Sequence, residues 1–277
     1  MTRRFFIQPQ SVRGDTVLLT KRESHHAISV LRIKLGETVE IFDGEGAGFR
    51  GVASKISEGR LLVQLDQNRT AMNPRGSSLV QVTLAVSVIK PERMELLIQK
   101  SCELGVRRIV PLMTERSVVK LSNERWASKM DRWKKIMTES CKQCGRSALP
   151  ALEPARKLNS LMAETEHYDR ILIPTLALPG KSFHAAILGA RAKNILVLIG
   201  PEGDFTKKEA ELAVSGGAVP VSLGPLVMRA ETAAIFVISV LNFVGAQFPP
   251  EISAGPPGSV AEIAPLASQG AINRNRT

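Results

Sequence analysis

Residues 194–244 read NILVLIGPEGDFTKKEAELAVSGGAVPVSLGPLVMRAETAAIFVISVLNFV, and this stretch decides the fold. It holds two Gly-Pro loops, each entered from an apolar run. Residues 194–199 are leucine-rich and β-branched and end at a turn signal, the pattern of a strand buried on both faces. The chain leaves that strand abruptly at Gly200. Thr206 with Glu209 three positions on has capping-box spacing, so a helix starts there and stops near Gly216 and Gly217. Residues 219–223 form a second short strand, broken by Gly224-Pro225, and 231–244 form an almost wholly apolar helix. Both loops therefore sit at strand ends, where open α/β sheets bind ligands.

The chemistry of the ligand follows partly from what these loops lack. Neither is GxGxxG nor GxxxxGKS/T, the glycine loops whose bare amides cradle phosphate. Glu202 places a carboxylate beside the ligand and would repel a pyrophosphate. The loops suit a compact ligand carrying a cation, held through backbone groups that glycine lets come close. S-adenosylmethionine, with its sulfonium and amine, fits that description.

The chain of 277 residues is long enough for one large or two modest domains. Its net charge of +11 and pI near 9.9 point to a polyanionic partner or a membrane surface. No uncharged apolar run reaches about 18 residues, so no membrane span is expected. The arginine-containing N-terminus has no apolar h-region, so no secretory signal is expected either. Three cysteines argue for a reducing compartment, and the cytoplasm is the expected location.

Two domains and a tail are read along the chain. Residues 1–72 are β-rich, with strands expected over 3–8, 16–19, 38–42, 49–56 and 61–65, and with Ser24 capping a short helix over 25–31. Residues 73–78, NPRGSS, are a linker by their turn residues. Residues 79–248 alternate strand and helix: strands over 79–88, 109–113 and 171–175, a helix opened by Lys90-Pro91-Glu92, and a long amphipathic helix over 122–145. Such alternation implies a mainly parallel sheet with helices on both faces. Residues 249–277 are rich in Pro, Gly, Ala and Ser without a sustained period, and carry no packed structure by composition.

Charge and isolated motifs narrow the partner. Residues 90–160 hold 16 Lys and Arg against 8 Asp and Glu. On the long helix Arg125, Lys129, Arg132, Lys135 and Lys142 fall away from the apolar stripe, and Arg3, Arg4, Arg32 and Lys34 make a second basic set in the first domain. A basic groove between two domains can track a phosphate backbone, which points to RNA, with Arg146 beside the long helix and His25 in the first domain as further contacts. Cys141-Lys142-Gln143-Cys144 lacks the second ligand pair of a zinc site and falls at a helix end that disfavours thiolate, so core packing is expected and no metal. Arg229 and Glu231 flank the entrance to the last helix, immediately after the second ligand loop. Both are candidate catalytic residues.

GPEGDF followed by LGPLVMRAETAA resembles the paired signatures of the RsmE family, the rRNA uridine N3-methyltransferases of the SPOUT superfamily. RRFF at 3–6, HHAISVLR at 25–32, QKSCELGV at 99–106, ERSVVK at 115–120, and RW with KQCGR at 132–146 resemble it too. The resemblance spans roughly residues 3–247. It implies a PUA-like RNA-binding barrel followed by an α/β SPOUT domain with a C-terminal trefoil knot, dimerised through the knot. It also implies S-adenosylmethionine held by Pro174, Thr175 and Leu176, by Ile199, Gly200, Pro201, Glu202 and Gly203, and by Leu223, Gly224, Met228 and Thr232. The implied reaction is methylation of N3 of a uridine in 16S rRNA. The chain departs from the family at Asp204, where glycine is usual.

Two other classes fit parts of the sequence. A non-enzymatic RNA-binding protein of the same fold would share the basic faces and is separated by calorimetry with S-adenosylmethionine. A nucleotide-dependent α/β enzyme would need one of the missing phosphate loops. A methyltransferase acting on another RNA position would share every motif.

Overall fold

A computed structural model describes residues 3–66, 80–117, 123–187 and 192–247. The expected linker at 73–78 and tail at 249–277 lie outside the described residues.

The first domain is a six-stranded sheet of β1 (Arg4–Phe6), β2 (Val12–Arg13), β3 (Thr16–Leu18), β4 (Thr38–Phe42), β5 (Gly48–Ser57) and β6 (Arg60–Leu65), in the order β1-β4-β5-β6-β3-β2. β1 and β4 run parallel and the other pairs antiparallel. Val39 and Ile41 point inward between exposed Thr38 and half-buried Glu40, the period-2 pattern of a sheet with one buried face. They close on Phe5, Val17, Ala53, Leu61 and Val63.

The helix in this domain starts earlier than its sequence suggests. It is α1 (Lys21–His25), continued by one π-helical stretch over His26–Val30, and Thr20 is the cap that accepts from the amide of Glu23. Ser24 does not cap. Its buried hydroxyl donates to the Leu19 carbonyl and accepts from the Leu61 amide, tying the helix to β6. Ser and Thr are comparable caps, and the tertiary partner at Leu61 selects between them.

The second domain carries β7 (Gln81–Ser87), β8 (Arg108–Met113), β9 (Ala151–Leu152), β10 (Arg156–Lys157), β11 (Arg170–Pro174), β12 (Lys181–Ser182), β13 (Asn194–Ile199) and β14 (Ala218–Ser222). They form one parallel sheet in the order β10-β8-β7-β13-β11-β14-β12, with β9 beside β8. Its helices are α2 (Pro91–Glu103), α3 (Asn123–Cys144), α4 (Leu158–Met162), α5 (Phe183–Ile187), α6 (Lys207–Ser215) and α7 (Ala230–Gln247). Val197 and Ile199 pack with α2, α3, α5 and α7, whereas Leu196 and Leu198 pack with α4 and α6. A central parallel strand needs apolar residues on both faces, which is why 194–199 reads as a continuous run. The capping box on α6 forms as its spacing predicts, with Thr206 and Glu209 satisfying each other's backbone amides.

The two domains share a polar and apolar seam at the end of α3. The Arg4 guanidinium donates to Ser147 Oγ at 2.7 Å and to the Cys141 carbonyl, and lies 4.5 Å from the centre of the Phe42 ring. Lys142 pairs with Glu23 at 3.0 Å, both buried. The Leu149 amide donates to the Gly44 carbonyl. The apolar stripe of α3 turns inward through Trp133, Met137 and Cys141.

Candidate active site

β13, β11 and β14 are neighbours in the sheet, so the loops leaving their carboxyl ends converge. Together they close a pocket of about 330 Å³. Pro174, Thr175 and Leu176 enter it from β11, Ile199, Gly200, Pro201 and Glu202 from β13, and Leu223, Gly224, Met228 and Arg229 from β14. Arg93, Asp204, Leu226 and Val227 also line it. Leu226 and Val227 are 78% and 79% exposed and form an apolar lip.

Glycine relieves crowding or backbone strain at two of these positions. A Cβ on Gly200 would stand 3.1 Å from the amide N and ring of Phe205, itself fully buried, and 3.2 Å from Asp204. Gly224 has φ +134°, a backbone that L side chains rarely adopt. At these two positions the absence of a side chain lets the loop backbone take its course beside the pocket. Two acidic residues, Glu202 and Asp204, lie among the lining.

Three expected site residues do not line the pocket. Gly203 turns its carbonyl to Arg116, which donates at 2.6 Å from the loop after β8. Thr232 is exposed in the first turn of α7. Glu231 is buried behind Arg93, whose Nε lies 3.7 Å from its Oε1. Arg229 is exposed at the pocket edge and makes no ion pair among the described residues.

The basic set divides. Arg3, His25, Arg32, Lys34, Arg125, Arg132 and Lys135 are exposed, whereas Arg4 and Arg146 are buried. Arg4 serves the domain seam, and Arg146 donates to the Val106 carbonyl at 2.7 Å. Neither can reach a phosphate without breaking these contacts, so the expectation of RNA contact is corrected for both. Lys142 leaves the basic face for the same reason. Arg132 forms a two-point ion pair with Glu95, and that guanidinium holds the Glu95 carboxyl below its ordinary pKa. Arg3 pairs with Glu37 at 2.8 Å while staying exposed.

The cysteines of α3 are packed with Cys102. Hydrogen bonding to the Cys102 thiol and burial push Cys141 up to about 12, and its bond to Cys141 raises Cys144 as well. Thiols in that state are inert, in line with the packing role read from the sequence. Among the described residues no group of three His, Cys, Asp or Glu side chains gathers as metal ligands would, and no helix is long and apolar enough to cross a membrane.

The family described as RNA methyltransferase domain matches residues 76–242, and the RNA methyltransferase PUA domain matches residues 19–66. The chain belongs to the RNA methyltransferase family. Ribosomal RNA small subunit methyltransferase E of Bacillus subtilis is 27% identical over 250 residues, covering 87% of this chain and 96% of that protein. Among solved structures, a methyltransferase from Legionella pneumophila in complex with SAM is 33% identical, with a TM-score of 0.77, over 88% of this chain and 98% of the other. Ribosomal RNA small subunit methyltransferase E from Neisseria gonorrhoeae, bound to S-adenosyl methionine, is 25% identical with a TM-score of 0.74, over 88% and 98%. The resemblance to the RsmE family and its PUA-plus-methyltransferase architecture agree with these findings.

Sequence reasoning missed Arg93 and read Asp204 only as a departure. Arg93 stands in the first turn of α2, and its partners Glu202 and Glu231 are more than 100 positions away. Nothing local signals the contact.

Proposed function

We propose that this protein transfers the methyl group of S-adenosylmethionine to N3 of a uridine in 16S rRNA, as the naming of its relatives suggests. The observation that carries the reading is the convergence of three loops on one pocket: glycine-shaped and largely apolar, with its Glu202 carboxylate paired to Arg93, it suits a compact ligand with an apolar body and a few polar groups. The cofactor supplies an activated methyl carbon on a sulfonium. The protein's tasks are alignment and making N3 nucleophilic. N3 of uridine carries a proton and its lone pair is delocalised into two carbonyls. As that proton passes to water, N3 bonds to the methyl carbon, the carbon–sulfur bond breaks and its electron pair stays on sulfur. Charge develops on O2 and O4, and Arg229 at the pocket edge meets it on one of these two oxygens. The exposed basic face of α3 and the exposed set Arg3, Arg32 and Lys34 on the barrel hold the RNA by its phosphates and shape.

The same reading includes a C-terminal trefoil knot, supported by the adjacency of β13, β11 and β14, and a homodimer. Phe236 and Phe243 on α7 are 37% and 64% exposed, an apolar face suited to a second copy. It also places the protein in the cytoplasm, with rRNA. The test is single-turnover transfer from labelled S-adenosylmethionine to small-subunit rRNA with nucleoside mapping of the product. 3-Methyluridine is expected. Arg229→Ala is expected to lower the rate by about 100-fold with cofactor affinity little changed. Product methylated on ribose or on another base would refute the assignment to N3.

A further inference from the structure

Arg93 belongs to none of the three loops that close the pocket, yet its side chain lines it. Its Nη1 donates to Oε1 of Glu202 at 3.3 Å, and its Nε lies 3.7 Å from Oε1 of Glu231. Glu231 is buried, and its Oε2 has no hydrogen-bond partner among the described residues. A buried carboxylate in that position depends on the cation beside it. The guanidinium is thus fixed from two sides, by the loop after β13 and by the first turn of α7. Its side chain keeps 28% exposure, and its Nη2 has no partner among the described residues. We propose that Arg93 is a catalytic residue that donates from Nη2 to O2 or O4 of the target uracil, with Glu202 and Glu231 as its positioning residues.

The proposal rests on the uridine-N3 reading above and deepens it. Deprotonation of N3 places negative charge on the two carbonyl oxygens, and a donor fixed before the reaction stabilises that charge without reorganising. Arg229 is exposed and unpaired among the described residues, whereas Arg93 is held by two carboxylates. The same carboxylates argue against Arg93 as a site for a ligand's carboxylate, which would stand beside Glu202 and Glu231. A carbonyl oxygen meets no such repulsion in the ground state, and gains charge only as the reaction proceeds.

The test uses the full chain and three readouts: calorimetric affinity for S-adenosylmethionine, the single-turnover rate on small-subunit rRNA, and the relative affinity for that rRNA transcribed with 5-fluorouridine or with uridine. Fluorination makes N3 easier to ionise, so a site built for the N3 anion prefers the fluorinated RNA. Arg93→Gln is expected to lower the rate by about 100-fold, to leave cofactor affinity within about threefold of wild type, and to abolish that preference. Because Arg93→Gln leaves Glu231 buried without its cation, Arg93→Lys is the second arm. It keeps the charge but lacks the fork that spans two carboxylates, and is expected to regain stability while staying at least about tenfold slow. A wild-type rate in either variant, or a loss confined to cofactor affinity, overturns the proposal. Wild-type protein that yields no 3-methyluridine overturns the underlying reading, and the proposal with it.

Discussion

Oδ2 of Asp204 lies 2.9 Å from Oγ1 of Thr175 and 2.7 Å from the amide N of Leu176, so one carboxylate joins the loop after β13 to the loop after β11. Oδ1 accepts from the Phe205 amide at 2.7 Å. The backbone at Asp204 is left-handed, with φ +59°, a conformation that Asp tolerates better than most residues. Asp204 thus combines a left-handed backbone with a clamp that glycine at the same position could not make.

That clamp predicts the outcome of two substitutions. Asp204→Gly keeps the left-handed backbone and loses three hydrogen bonds to a charged acceptor, so calorimetry should show S-adenosylmethionine affinity falling about tenfold, or roughly 1.4 kcal/mol. Asp204→Ala loses the same bonds and adds about 1 kcal/mol of backbone strain, visible as lower thermal stability than Asp204→Gly. Equal affinity in wild type and Asp204→Gly would show that the clamp does nothing for the pocket.

Arg4 is a seam residue. Arg4→Ala removes its bonds to Ser147 and Cys141 and its contact with Phe42, and should destabilise the protein by about 2–4 kcal/mol in urea unfolding. RNA affinity measured below the transition should stay near wild type. A loss of RNA affinity without a loss of stability would return Arg4 to the RNA face.

Lys135 and Arg132 are both exposed on α3 but differ in their neighbours. Lys135→Ala should reduce the salt dependence of RNA binding by about one phosphate contact, a slope change of roughly 0.7–0.9. Arg132→Ala frees Glu95, which stays charged at neutral pH and repels phosphate, so it should weaken binding more than Lys135→Ala. Adding Glu95→Gln should restore part of that loss in fluorescence anisotropy titrations. No recovery would mean that Glu95 does not face the RNA.

The thiols give a contrast between folded and unfolded chain. With Cys102 and Cys141 buried and Cys141 pushed up to about 12, iodoacetamide at pH 8 should leave both unmodified in native protein and alkylate both in denaturant. Mass spectrometry reads this directly. Native labelling of Cys141 at the rate of a free thiol would contradict the packing described.

Local signals were sufficient for the elements that position the pocket. The run Asn194–Ile199 is a strand with the predicted bounds, Thr206 and Glu209 form the predicted capping box, and α3 follows the apolar spacing from Trp126 to Cys144. These patterns are legible because strand burial, capping and helical periodicity act over a few residues. The short pieces β9, β10, β12, α4 and α5 were missed, since each has five residues or fewer and is held by its neighbours more than by its own pattern. The fate of single side chains was decided by tertiary structure alone. Arg4, Lys142 and Arg146 carry the same charge as Arg125 and Lys135, yet three are buried and two exposed, because the first domain docks on one end of α3 over Arg4 and Lys142, and Arg146 turns to the Val106 carbonyl. Arg93, Glu202 and Glu231 meet only because α2, the β13 exit and α7 crowd the carboxyl end of the central strands, bringing together charges that no spacing along the chain relates.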